Sequence, residues 1–171
     1  MRTCFLQTPR LYFSHWTWDD LPLARSLWGD PAVARYICAQ GVFTEEEIRA
    51  RLELEIANQQ DRGVQYWPVF SRPEEAFVGC CGLRPAGEAG VYELGFHLRP
   101  PFWGQGLAAE AARAVMAYAR EVLQARALEA GHNPDNLPSC RVLTHKLGFI
   151  RTGEAYYPPT GRMHPTYRLP L

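Results

Sequence analysis

The run Tyr92-Glu93-Leu94-Gly95-Phe96-His97-Leu98-Arg99-Pro100-Pro101-Phe102-Trp103-Gly104-Gln105-Gly106-Leu107-Ala108-Ala109-Glu110-Ala111 holds the residues best suited to chemistry. A strand-like segment enters a glycine turn, and the turn opens an alanine-rich helix. The first turn of a helix carries unpaired N–H groups at the positive end of its dipole, so it binds anions. Gly104 and Gly106 lack Cβ atoms and let a phosphate approach the main chain. No side chain from Pro100 to Ala109 is charged, so a phosphate there is expected to rest largely on main-chain amides. Two other readings fit the same residues. The glycines can simply make a tight strand-to-helix turn. Alternatively Gly104, Gly106 and Ala109 match the dinucleotide pattern G-x-G-x-x-G/A, with Glu129 where a ribose-binding acid would stand. Against that last reading, three antiparallel-looking strands precede the motif, and the chain after it is short for a full dinucleotide domain.

Strand alternation places Glu93, Gly95 and His97 on one face and Tyr92, Leu94, Phe96 and Leu98 on the other. The elements that must hold them are legible from local signals. Leu11–His15 reads as a first strand, and Thr17 with Asp20 resembles a capping box for a helix through Trp28. Asp30-Pro31 restarts the chain as a short helix. Thr44-Glu45-Glu46-Glu47 is a capping box, with Ile48, Leu52 and Ile56 following at helical spacing. Three strands follow: Gly63–Ser71, where Pro68 argues for an edge or a bulge, then Ala76–Leu83 and Val91–Leu98. A helix over Leu107–Leu123, a strand over Arg126–His132, a helix over Asn136–Leu147 closed by Gly148, and strands from Phe149 and near Thr166–Leu169 complete the chain. Consecutive strands imply antiparallel pairing, and strand–helix–strand implies a parallel crossover. The expected fold is α/β: a mixed, mostly antiparallel sheet with helices on both faces, in one domain over residues 1–171.

Bulk composition narrows the function. Apolar residues at 47% and charged residues at 21% describe a globular chain. A net charge of +0 gives no general attraction for nucleic acid or anionic membrane. No apolar run approaches the ~20 residues that span a bilayer, and the N-terminus lacks a signal-peptide pattern. Five cysteines without ligand spacing argue against a zinc site or disulfide framework, so no metal is expected and a cytoplasmic location is. Trp18, Trp28, Trp67 and Tyr66 read as core.

Across nearly its whole length the chain resembles the GNAT superfamily of N-acetyltransferases, in the RimJ/RimL-like branch. The turn Trp103-Gly104-Gln105-Gly106-Leu107-Ala108 is similar to that branch's version of the GNAT signature, although it departs from the general Gln/Arg position. Thr8-Pro9-Arg10-Leu11 resembles its opening strand, and Phe77-Val78-Gly79-Cys80-Cys81-Gly82-Leu83 its third. Asn136-Leu137-Pro138-Ser139 with Lys146-Leu147-Gly148-Phe149 is similar to its Asn-x-x-Ser…Lys-Leu-Gly-Phe segment. The resemblance implies acetyl-CoA as cosubstrate, its pyrophosphate on the amides of Trp103, Gly104, Gln105, Gly106, Leu107 and Ala108. Its pantetheine would lie along Phe96–Leu98, where the family splays two strands apart, with Asn136 nearby.

The resemblance further implies Glu93 as a base acting through water, an amide of Phe96 or His97 as oxyanion donor, and Ser139 as the acid for the departing thiolate. The residues alone leave alternatives: Glu93 as an ordinary strand carboxylate, Ser139 or Asn136 as a helix cap, His97 as a packed histidine. The acceptor is an amine of a small molecule or a protein N-terminus, with no nucleic-acid or membrane partner, and the family also admits a homodimer. A CoA-binding module without catalysis and a dinucleotide-binding enzyme are the competing classes.

Overall fold

A short hairpin opens the chain, β1 (Leu6–Gln7) with β2 (Leu11–Phe13), in the computed structural model, which describes residues 2–171. The expected first strand is therefore shorter, and β1 carries no sequence signal of its own. The Thr17 amide donates to Asp20 at 2.9 Å, but the turn this closes is 3-10 (Trp18–Asp20), and α1 proper is Leu21–Trp28. Trp18, expected in the core, is 56% exposed on that turn. Asp30 accepts the Ala32 amide at 2.9 Å and caps α2 (Pro31–Ala34). Thr44 and Glu47 cap α3 (Glu45–Arg62) reciprocally, at 2.7 and 3.2 Å.

The strands β3 (Tyr66–Ser71), β4 (Phe77–Pro85) and β5 (Val91–Leu98) then pair antiparallel in succession. Helix α4 (Leu107–Glu121) crosses to β6 (Ala127–Gly131), which pairs parallel with β5. Helix α5 (Leu137–Arg141) runs into a π-helical turn, Val142–Lys146, and the hairpin β7 (Ile150–Tyr157) and β8 (Arg162–Pro170) ends the chain. The sheet order is β1-β2-β3-β4-β5-β6-β8-β7. Beyond β6 every pairing is antiparallel, so the second parallel unit of a dinucleotide domain is missing among the described residues. Pro68 lies inside the sheet, in a β3 flanked on both sides. Its carbonyl accepts the Ser14 amide at 3.1 Å just past the end of β2, and the bulge falls one residue later, between Val69 and Phe70.

The sheet has a core on each face. One gathers Leu94, Leu107, Ala111, Val115, Leu128, Leu143 and Trp67, with α4 and the π turn laid over it. The other gathers Trp16, Leu27, Trp28, Ile48, Leu52, Tyr66 and Phe77 under α1 and α3. Within the second core Glu55 is fully buried. Its carboxylate accepts the Tyr66 amide at 2.8 Å and pairs with Arg84, whose guanidinium lies 4.0 Å over the Tyr66 ring. Removing one partner of a buried ion pair strands the other. Glu55→Ala should therefore lower unfolding stability by about 3–5 kcal/mol in urea denaturation; a loss below about 1 kcal/mol would show that solvent replaces the carboxylate.

Candidate active site

β5 and β6 are bonded only where Val91, Tyr92 and Glu93 face Ala127, Leu128 and Glu129. Past that point β5 continues to Leu98, while β6 stays with β8 up to Gly131. The strands part, and beside the gap lies a cavity of about 480 Å³. Phe96, His97 and Leu98 line it from β5, and Trp103, Gly104, Gly106, Leu107, Ala108 and Ala109 from the turn and α4. Asn136, Ser139 and Val142 line it from α5 and the π turn, and Val33, Tyr36 and Ile37 close the side nearest α2.

The structure thus brings Phe96, Leu98, Trp103, Gly104, Gly106, Leu107, Ala108, Asn136 and Ser139 around one space. Gln105 is outside the lining: its side chain donates to the Pro101 carbonyl at 2.9 Å. Glu93 is also outside it, exposed at the last residue pair before the strands separate. There its Oε1 accepts the Tyr66 hydroxyl at 2.5 Å, and burial followed by the Glu93 charge holds that phenol well above its ordinary range.

Gly104 and Gly106 sit at φ +71° and +75°, a region other L-residues rarely adopt, and Gly106 is the residue from which α4 starts. The conformation of the turn, as much as its open surface, requires glycine. Arg10 braces the turn from the other end of the chain: its Nη1 donates to the Gln105 carbonyl at 2.9 Å, and its Nε donates to Glu110 at 2.6 Å. Glu110 also accepts the Thr8 hydroxyl at 2.6 Å.

Cations missed by the sequence reading complete the site. Arg35, Arg141 and Lys146 line the cavity, and no acidic residue does. They add side-chain charge to a cavity where a phosphate was expected to rest largely on main-chain amides. The π turn delivers Lys146, and the Lys146 carbonyl accepts Arg113 Nη2 of α4 at 3.0 Å. Asn136 Oδ1 accepts the Ser139 amide at 3.3 Å, so Asn136 is the cap and the Ser139 hydroxyl has no hydrogen bond to a described residue.

His97 is packed and neutral. Trp28 Nε1 donates to its Nδ1 at 3.2 Å, which leaves the ring proton on Nε2. Burial, then the charges of Arg51 and Arg84, hold its pKa well below 6.5. A base depressed by folding contributes stability above its unfolded pKa, and that contribution is lost as the pH falls below about 6.5. Nitrogen NMR should find the Nε2–H tautomer and a midpoint below 6.5; a midpoint at or above that value would contradict the packing described.

Known proteins are similar to this chain in sequence and in fold. The N-acetyltransferase YnaD of Bacillus subtilis (strain 168), itself uncharacterized, is 30% identical over 148 residues, covering 86% of this chain and 84% of its own. A crystal structure of a GNAT-family acetyltransferase from Bacillus anthracis aligns with a TM-score of 0.81 at 26% identity, over 97% and 98% of the two chains. RimL, the ribosomal L7/L12 α-N-protein acetyltransferase, solved in complex with coenzyme A, shares the fold with a TM-score of 0.78 at 20% identity, covering 96% of each chain. Residues 10–150 match the acetyltransferase (GNAT) domain family, and with that match over most of its length the chain belongs to the GNAT acetyltransferases.

Proposed function

We propose that the protein acetylates a primary amine by direct attack on acetyl-CoA in a ternary complex, with a small-molecule amine or a protein N-terminus as acceptor. The observation that carries this reading is the cavity itself: it runs from the glycine turn to Ser139, holds three cations and no acid, and opens where β5 and β6 part. A polyanionic donor suits the turn, where helix N-terminal amides and Arg141 or Lys146 converge. The amine nitrogen bonds to the acetyl carbon, the C–S bond breaks, and the thiolate takes a proton. Ser139, with its hydroxyl free, is the donor of that proton. The base is Glu93 through water: Tyr66 holds one carboxylate oxygen, and Oε2 has no partner among the described residues. An amide of Phe96 or His97 serves the tetrahedral oxyanion. Mass spectrometry of products from acetyl-CoA, an amine panel and cell extract tests the reading. An acetylated amine that depends on the enzyme supports it, and acetyl-CoA binding without any transfer would leave only a CoA-binding protein.

Two variants assign the roles. Ser139→Ala should lower kcat by about ten- to a thousandfold with acetyl-CoA affinity unchanged; an unchanged kcat with chemistry limiting removes Ser139 from the mechanism. Gly106→Val should weaken CoA binding by about a hundredfold in calorimetry. A Cβ there meets only Arg10 Nη2, at 3.7 Å, so the loss comes from the φ of +75° and from the phosphate's own space. Wild-type affinity in a variant that melts normally would place the phosphates elsewhere.

A further inference from the structure

Arg51 is a charge that acetyl transfer, as described, leaves unused. It is half-buried on the side of α3 that carries Ile48, Leu52 and Glu55. Its guanidinium stands 5.3 Å from the Trp28 ring centroid and 4.9 Å from that of Phe43. Its Nε is fully buried without a partner, and the group makes no ion pair with any described residue. Glu55, one turn along, is already committed to Arg84 and to the Tyr66 amide. The other groups acting on Arg51 are the Arg84 charge, the Tyr157 hydroxyl and the Cys80 thiol, and burial followed by Arg84 pulls its pKa down. A half-buried cation whose Nε is shut off from water and unpaired is an unfavourable arrangement that an arriving anion relieves.

Position gives that anion a context. The same Trp28 indole donates to His97, the Arg51 charge acts on His97, and His97 lines the cavity. One aromatic ring thus touches both the unpaired guanidinium and a residue of the cavity. Rings over the guanidinium leave its edge, where paired N–H groups match the two oxygens of a carboxylate. The second cation acting on Arg51, Arg84, is tied to Glu55, so the free charge suits a monoanion.

We propose that Arg51 binds the carboxylate of the acceptor, so that the amine acetylated belongs to a compact amino carboxylate spanning from Arg51 to the acetyl group beside His97. The inference rests on the acetyl-transfer reading and narrows its acceptor. The test compares amino acids with the amines lacking their carboxylate, and with phosphorylated amines of equal length, in wild type, Arg51→Met and Arg51→Lys. Arg51→Met should lower kcat/KM for amino carboxylates about tenfold or more, mainly through KM, the loss of one charge-assisted pair. It should leave the decarboxylated amines within about twofold, and Arg51→Lys should fall between because it keeps charge without the fork. Equal losses on both classes in a normally melting variant, or a wild-type preference for phosphorylated amines, would overturn the carboxylate site. Calorimetry with the corresponding N-acetyl amino acids, in the presence of CoA, gives a readout without turnover. Binding that weakens in Arg51→Met supports the site even if no acceptor in the panel is acetylated, which would then count against transfer alone. Binding indifferent to Arg51 overturns it.

Discussion

The separation of β5 from β6 is the constraint on which the rest depends. A parallel pair ordinarily extends its ladder as far as both strands run, because unpaired main-chain groups inside a protein are unfavourable. Here the ladder stops at Glu93 and Glu129, although β5 has five residues left. β6 cannot follow, since its other edge is committed to β8 from Ala127 to Gly131. Helix α5 and its π turn then occupy the ground beyond, with Leu143 in the core and Ser139 and Lys146 at the cavity. The edge of β5 beyond Glu93 is left open beside the cavity. A strand edge, a helix N-terminus and a hydroxyl meet at one place because two strands fail to pair there.

Charge follows the same division. The chain is neutral overall, but several of its acids are paired away from the cavity. Glu55 pairs with Arg84, Glu110 with Arg10, and Glu88 and Glu129 with Arg168. The cations that remain at the cavity have no acid among its lining residues. A net charge near zero argues against general affinity for polyanions and says nothing of such a local surplus.

That contrast marks what the sequence could convey. The strand–turn–helix from Val91 to Glu121 was legible almost to the residue, because alternation, two glycines and an alanine-rich periodicity are all local. So were the capping box at Thr44 and the helix start at Pro31. The RimJ/RimL-like resemblance then pointed to the residues that surround the cavity. What stayed hidden depends on register. Tyr66 meets Glu93 across 27 residues, Trp28 meets His97 across 69, and Arg10 meets Glu110 across 100. Pro68 misled in part, since its effect depends on where β2 stops rather than on β3. Trp18 misled because a 3-10 turn, unlike an α-helix, directed its side chain to solvent.

The polar residues under α3 look at first like a poor bargain for stability, since a buried ion pair rarely outperforms apolar residues of the same volume. Their geometry gives a reason to keep them. Glu55 takes the Tyr66 amide, and Arg84 lies on the Tyr66 ring, so that ring is fixed at both its backbone and its face. Gly95 completes the fit, because a Cβ there would stand 2.3 Å from the Tyr66 ring. With the ring pressed against β5, its hydroxyl donates to Glu93, two positions back on the same face. An apolar pair in place of Glu55 and Arg84 could fill the volume but would not orient the phenol. The ion pair therefore acts on the site by position: it sets one tyrosine, which sets one carboxylate beside the point where the strands part.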